Sequence, residues 1–214
     1  MDVTYTTPSG IEAESMRIIG AELKDRGLTL EPGTEAVVKR VIHTTADFDY
    51  AVNLRFTEGA VERAVAAFQA GASIVTDTNM AKAGVSKAAL GKLGGQVHCF
   101  MADPEVAQAA KTQGTTRAAV CMEKAAREHP GAVLAVGNAP TALLALRELI
   151  LADKLQPALV VGVPVGFVNV VEAKELFWEL AQERNIPCII ARGRKGGSNV
   201  AAAIINALML AALA

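Results

Sequence analysis

The sequence contains few of the residues that form disulfide frameworks and metal sites, and few aromatic residues. Its 214 residues include only three cysteines and three histidines, and aromatic residues make up 4% of the chain. Cys99, Cys121 and Cys188 are far apart and form no CxxC pair, which excludes a disulfide framework and a structural zinc site and indicates reduced cysteines in a cytoplasmic protein. Three scattered histidines offer little for a catalytic metal site, so we expect no metal.

An excess of positive charge is also missing. The chain has 21 Lys and Arg against 22 Asp and Glu, for a net charge of -1. Nucleic acids and anionic membranes attract proteins through surplus basic residues, so neither is an expected partner. The longest apolar run, residues 200–214, contains Asn206 and is shorter than the roughly 20 residues that a membrane helix needs. We therefore expect a buried C-terminal helix there, and the N-terminal segment lacks the features of a secretory signal.

What the sequence does contain is a regular alternation of two kinds of segment. Short apolar runs alternate with longer segments of helical period, which is the pattern of an α/β protein. Strands are predicted at 51–56, 72–76, 96–101, 132–136, 158–163 and 187–191. Helices are predicted at 11–26, 34–46, 58–69, 86–92, 104–110, 115–129, 141–152 and 171–185. Nearly continuous apolar strands are typical of sheets covered on both faces, so we expect a single doubly wound, mainly parallel sheet with helices on both faces, in one domain of residues 1–214.

Turns at the predicted carboxyl ends of strands are candidate ligand sites, because doubly wound sheets bind ligands there. At 136–141 a strand ends in Gly137, followed by Asn138 and by Pro140 in the first helical turn, so free N–H groups predict an anion site. An ordinary turn between strand and helix is the alternative. At 162–168, glycines and a proline follow a buried strand and predict either an apolar pocket wall or a tight structural turn.

A third turn, residues 191–198, carries Arg192, Arg194 and Lys195 among three glycines. Glycines let a backbone approach a ligand closely, and the cations would neutralise an anionic ligand. A solvated basic turn is the alternative. The sequence contains no GxxxxGK[ST], no GxGxxG after a strand with an acidic residue about 20 positions later, and no GxSxG, so phosphoryl transfer, hydride transfer and serine hydrolysis lose their simplest support.

His43 is the most informative titratable residue of the chain. At about 100° per residue, the valines and isoleucine of helix 34–46 fill one arc, while Lys39, Arg40, His43 and Asp47 share the opposite arc. The positive charges of Lys39 and Arg40, one turn away, favour a neutral imidazole. A neutral imidazole beside an anion-binding arginine is a candidate proton-transfer site, and a solvent-exposed histidine without a role is the alternative.

The segment 39–49, KRVIHTTADFD, resembles the signature of the precorrin-8 methylmutases of cobalamin biosynthesis, also called precorrin isomerases. The resemblance runs nearly end to end and includes, in fixed order, the segments 11–15, 76–80, 112–117, 137–143, 162–168 and 193–199. The motifs KRVIHTTADFD and GRKGGSNVAAAI resemble those of the family branch that acts on cobalt-precorrin more than those of the branch that acts on metal-free precorrin. One departure is the segment 169–173, where relatives tend to carry a glycine first and a serine before the lysine. Asn169 tolerates the positive φ of such a turn.

The resemblance implies an isomerase that moves a methyl group from carbon 11 to carbon 12 of the corrinoid macrocycle, in a step similar to a 1,5-sigmatropic shift and without a redox cofactor. His43 would donate and accept a proton on ring C or its nitrogen. Family precedent also implies substrate contacts at Ser15 and Arg40, and a homodimer with the active site near the subunit interface. The alternatives are a non-catalytic corrinoid-binding or carrier protein, and a Rossmann-like enzyme with a phosphorylated ligand.

The corrinoid implied as substrate carries several acetate and propionate arms around an apolar ring. Each charge-assisted hydrogen bond to an arm would contribute about 1.5–3 kcal/mol. We therefore expect further contacts to the arms from cations and polar groups near the predicted turns. These residues are Arg117, Asn138, Thr141, Arg192, Arg194 and Lys195.

Overall fold

The computed structural model describes residues 7–214, which form a layered α/β structure around one six-stranded sheet. The strands are β1 (Leu54–Phe56), β2 (Ile74–Thr76), β3 (Val97–His98), β4 (Val133–Val136), β5 (Leu159–Gly162) and β6 (Cys188–Ala191). Their order in the sheet is β1-β6-β5-β4-β2-β3. All neighbouring pairs are parallel except β1 with β6, which is antiparallel. Each predicted strand is present in shortened form, and the prediction of a mainly parallel sheet is confirmed.

Helices fill most of the chain between the strands. They are α1 (Pro8–Asp25), α2 (Glu35–Thr45), α3 (Tyr50–Asn53), α4 (Ala60–Gln69), α5 (Asn79–Gly84), α6 (Lys87–Lys92), α7 (Pro104–Gln113), α8 (Arg117–Glu128), α9 (Pro140–Leu151), α10 (Val170–Glu183) and α11 (Ser198–Ala212). Short helices α3 and α5 were not predicted, and α3 occupies part of the predicted strand 51–56. Helix α11 is the predicted buried C-terminal helix. Within residues 7–214, no helix has the length and apolar character needed to cross a membrane.

Alternate residues of the central strands face two separate apolar cores, as parallel strands covered on both sides require. In β4, Val133 and Ala135 face the core built with α1, α2, α4, α6 and α11. Leu134 and Val136 face the opposite core, built with α7, α8, α9 and α10. This alternation explains why β4 and its neighbours are apolar at every position, and it confirms the expected helical cover on both faces.

The antiparallel direction of β1 determines the position of the C-terminal end of α2. Leu54, the first residue of β1, pairs with Ala191, the last residue of β6. The segment that joins α2 to β1 therefore lies at the carboxyl end of the parallel strands, beside the turn that follows β6. Lys195 in that turn donates to Asp47 Oδ2 and to Asp49 Oδ2, both at 2.6 Å.

The turns at this edge are in close backbone contact, which explains two of their glycines. A Cβ atom on Gly196 would lie 2.1 Å from the carbonyl oxygen of Val163. A Cβ atom on Gly137 would lie 2.8 Å from the Cα atom of Ser198. Only residues without a side chain allow the ends of β4, β5 and β6 to approach one another in this way.

Candidate active site

His43 lines a cavity of about 450 Å³ that runs along α11 from Asn199, near the carboxyl ends of the parallel strands, to Leu210 in the last turn of the helix. The imidazole is exposed in the last turn of α2, and Arg40, one turn earlier, lines the same cavity. The guanidinium Nη2 of Arg40 donates to Glu12 Oε1 of α1 at 2.5 Å. Residues 37, 38, 41 and 42 are buried against the core, so the predicted division of α2 into two arcs is confirmed.

The opposite wall of this cavity comes from α11 and from the turn between α5 and α6. Ala202, Ala203 and Leu210 supply apolar surface. Asn206 donates through Nδ2 to the carbonyl of Gly84 at 2.9 Å and accepts the N–H of Ser86 through Oδ1 at 2.9 Å. Asn206 therefore holds the α5–α6 turn against α11. In the sequence, the only indication of this role was a polar residue within the apolar run 200–214.

Two of the three cations in the turn after β6 are held by acidic side chains of the protein. Arg192 donates to both carboxylate oxygens of Glu175, through Nε at 2.8 Å and through Nη2. Lys195 binds Asp47 and Asp49, and these hydrogen bonds raise the pKa of Lys195 while the ammonium lowers the pKa of Asp47. Both cations therefore fix the shape of the site, and a ligand carboxylate would have to compete with these partners.

Arg194 differs from its two neighbours. Its guanidinium carbon lies 5.4 Å from the centre of the Phe167 ring, which is a cation–π arrangement. Arg194 is exposed and makes no ion pair with an acidic residue in the described part of the chain, and Phe167 is 83% exposed. Of the three cations, Arg194 is the one most available to a ligand. Asn169 ends the turn after β5 that carries Phe167. Its φ of 56° is the conformation expected if this turn keeps its shape without a glycine.

The turn after β4 binds an anion, and that anion belongs to the protein. Asp77, the residue after β2, accepts the N–H groups of Gly137, Asn138 and Ala139 at 2.9, 2.8 and 2.8 Å. Burial raises the pKa of Asp77, and these three donors oppose that shift. The N–H groups that predicted a site for an external anion are thus already occupied, which corrects the interpretation of this turn. The side chain of Asn138 remains exposed.

Of the predicted site residues, Arg40 and His43 line the His43 cavity, and Arg192, Arg194, Lys195 and Asn138 do not. Arg117 and Thr141 also lie apart from it. Arg117 is exposed at the first position of α8, and the Thr141 hydroxyl is 2.8 Å from that of Thr116. Thr141 lines a larger cavity of about 610 Å³ between α8 and α9, whose other lining residues include Glu123 and Glu148. Two carboxylates against one lysine, Lys154, make this second cavity less favourable for a polyanion.

Ser15 lies near the His43 cavity without lining it. It is half-buried on α1, one turn beyond Glu12, and its hydroxyl donates to the carbonyl of Ile11 at 2.8 Å. The hydroxyl oxygen can still accept a hydrogen bond from a ligand.

An α/β enzyme with its reactive groups beyond the carboxyl ends of the strands is the class of protein that this arrangement defines. A family model described as precorrin-8X methylmutase matches residues 10–211. The chain belongs to the precorrin-8X methylmutase family, whose members are isomerases of cobalamin biosynthesis. The resemblance based on sequence motifs is confirmed, and the interpretation as a non-catalytic carrier has no support.

Relatives match along almost the whole chain. A cobalt-precorrin-8 methylmutase of Salmonella typhimurium is 44% identical over 206 residues, which are 94% of this chain and 94% of that protein. A precorrin-8X methylmutase of Pseudomonas aeruginosa is 39% identical and covers 92% and 93% of the two chains. The solved structure of a precorrin-8X methylmutase from Thermus thermophilus has a TM-score of 0.83 and 42% identity, covering 95% of this chain and 97% of that one.

Proposed function

We propose that this methylmutase moves the methyl group on carbon 11 of cobalt-precorrin-8 to carbon 12, with His43 as the group that transfers a proton to and from the macrocycle. The observation that carries the proposal is the meeting of His43 and Arg40 in one cavity of a chain from this family. The choice of a cobalt-containing substrate rests on the sequence motifs and on the names of relatives such as that of Salmonella typhimurium.

The chemistry of the cavity suits this substrate. The apolar ring can lie against the alanines and Leu210 of α11, while an acid arm replaces Glu12 on the guanidinium of Arg40. Proton transfer from the protonated imidazole to ring C or its nitrogen would make the neighbouring carbon more electron-poor and ease the migration of the methyl group. The neutral imidazole would then take the proton back from the rearranged ring, so that the reaction is an isomerisation with no net change in protons. The rest of the acceleration would come from holding the ring in a reactive geometry away from water.

Absorption spectroscopy tests the proposal directly. We expect the purified protein to convert cobalt-precorrin-8 into cobyrinic acid, with the change in spectrum that a rearranged chromophore gives. Metal-free precorrin-8 should be converted more slowly under the same conditions. Binding of both compounds without a spectral change would contradict an isomerase, and conversion of only the metal-free compound would place the chain in the other branch of the family.

Arg40→Ala is expected to weaken corrinoid binding roughly 10- to 100-fold, because one charge-assisted hydrogen bond to an acid arm is worth about 1.5–3 kcal/mol. The measurement is a fluorescence or absorbance titration with the corrinoid. Arg127→Ala is a suitable control, since Arg127 is exposed at the far end of α8. Unchanged affinity of the Arg40 variant would remove this residue from the site.

We further propose that the chain is a cytoplasmic homodimer with its active sites near the subunit interface. An exposed apolar surface on the turn after β5, formed by Val165, Phe167 and Val168, supports an interface at this edge of the sheet. The three free cysteines suit a reducing compartment. Light scattering should give twice the chain mass of 22.3 kDa. A monomer that turns over substrate would overturn the dimer.

A further inference from the structure

Lys174 is a buried cation whose role the proposed reaction leaves unassigned. It lies on α10 with an exposed fraction of 0%, although lysine is among the residues least often fully buried. Its Nζ atom donates to the carbonyl oxygens of Gly193 and Lys195, both at 2.8 Å. Burial lowers the pKa of Lys174 to about 8. No carboxylate forms an ion pair with it within residues 7–214, and the neighbouring Glu175 binds Arg192.

The two carbonyl groups that Lys174 binds lie on either side of Arg194. The carbonyl of Arg194 itself accepts the N–H of Gly166 at 3.2 Å. Three successive carbonyls of the turn thus have donors within the protein, two from the buried Lys174 and one from the turn after β5. With these carbonyls held on both sides, the exposed Arg194 side chain lies over the ring of Phe167.

The ion pairs of Arg192 and Lys195 hold the side chains of this turn, but its backbone is rich in glycine and benefits from a separate anchor. Gly193 has a φ of 77° and Gly197 a φ of 136°, with Gly196 between them. Glycines populate many backbone conformations, so a turn this rich in glycine loses much conformational entropy when it becomes ordered. Hydrogen bonds between a buried ammonium or amine and two carbonyls limit the turn to one conformation before a ligand arrives. Such preorganisation lowers the cost of binding.

We propose that Lys174 is a positioning residue, which holds the backbone on both sides of Arg194 so that this arginine binds an acid arm of the substrate. The inference rests on the proposed function, since it requires a polycarboxylate ligand at this edge of the sheet. It assigns to Lys174 no contact with substrate. The effect on the ligand passes through Arg194.

The test is a double-mutant cycle on steady-state kinetics with Lys174→Met, Arg194→Ala and the combination of both. We expect each single change to raise KM about tenfold, the effect of one lost charge-assisted contact, with kcat little changed. The double variant should have nearly the KM of Arg194→Ala alone, because the two residues act through one contact. Lys111→Met, at an exposed position of α7, is the matched control.

A merely structural role for Lys174 would give a different pattern. The melting temperature of Lys174→Met would fall, and its effect on KM would multiply with that of Arg194→Ala in the double variant. Alternatively, the KM of Lys174→Met would stay at the wild-type value. Either result would overturn the inference. Should Lys174→Met fail to fold, Lys174→Gln retains a donor for one carbonyl and enters the same cycle. Turnover by the wild-type protein, measured first, separates failure of this inference from failure of the proposed function.

Discussion

Replacing His43 with alanine is expected to lower kcat by about 10²–10⁴-fold, the usual contribution of a general acid or base. Corrinoid affinity should stay close to that of the wild type, because the exposed imidazole is proposed to act on the reacting ring rather than to hold the arms. The buried face of α2 lies on the other side of the helix, so the fold should persist. Single-turnover absorbance measures the rate, and an equilibrium titration measures the affinity.

Two further variants show whether proton transfer accounts for the loss. His43→Asn retains a hydrogen-bonding side chain of similar reach but has no titratable group, so it should be as slow as His43→Ala. Thr44→Ala, which changes another residue lining the same cavity, should retain nearly full activity. Loss of binding together with turnover in His43→Ala, or an active His43→Asn, would contradict the proposed role.

Replacing Asp77 with alanine is expected to lower the free energy of unfolding by about 3 kcal/mol or more, because each buried donor left without an acceptor costs about 1–3 kcal/mol. The carboxylate is 1% exposed and accepts three N–H groups of the turn after β4. Without it, the N–H groups of the buried Gly137 and of its partly buried neighbours lose their acceptor, and the first turn of α9 loses a favourable negative charge. Urea denaturation followed by circular dichroism measures the change.

Matched variants again make the result specific. Asp25→Ala removes an exposed aspartate at the C-terminal end of α1 and should change stability by no more than about 0.5 kcal/mol. Asp77→Asn retains the size of the side chain but brings an NH₂ group towards donors, so its cost should be of the same order as that of Asp77→Ala. A urea midpoint for Asp77→Ala equal to that of the wild type would show that other groups satisfy the turn.

The sequence predicted the sheet better than it predicted the ends of its strands. Runs such as 132–136 are apolar at every position because both faces are covered, and this signal is local. The direction of β1 is not a local property, since it depends on pairing with β6 more than 130 residues later in the chain. Helix α3 has four residues, too few for a helical period to appear, so its residues were included in the predicted strand 51–56.

The site was also predictable only where its features depend on residues close together in the sequence. His43 and Arg40 were found from their arc of one helix and from the family motif, and the structure places both in one cavity. The sequence did not show which side chains form hydrogen bonds with the turns. Asp77 lies 60 residues before Gly137, and the acids that bind Lys195 lie nearly 150 residues before it. Sequence reasoning therefore identified cations without showing which of them already have a partner.

Both edges of the sheet end in strands that offer little to a second chain. The edge strand β1 has three residues, with the exposed Arg55 in the middle, and the edge strand β3 has two. Short edges with an outward charge discourage the addition of further strands, which is the route by which open sheets aggregate. Strand β1, whose antiparallel direction brings the His43 segment to the carboxyl edge, thus also protects this apolar-rich chain, by its shortness and its charge, against assembly through its backbone.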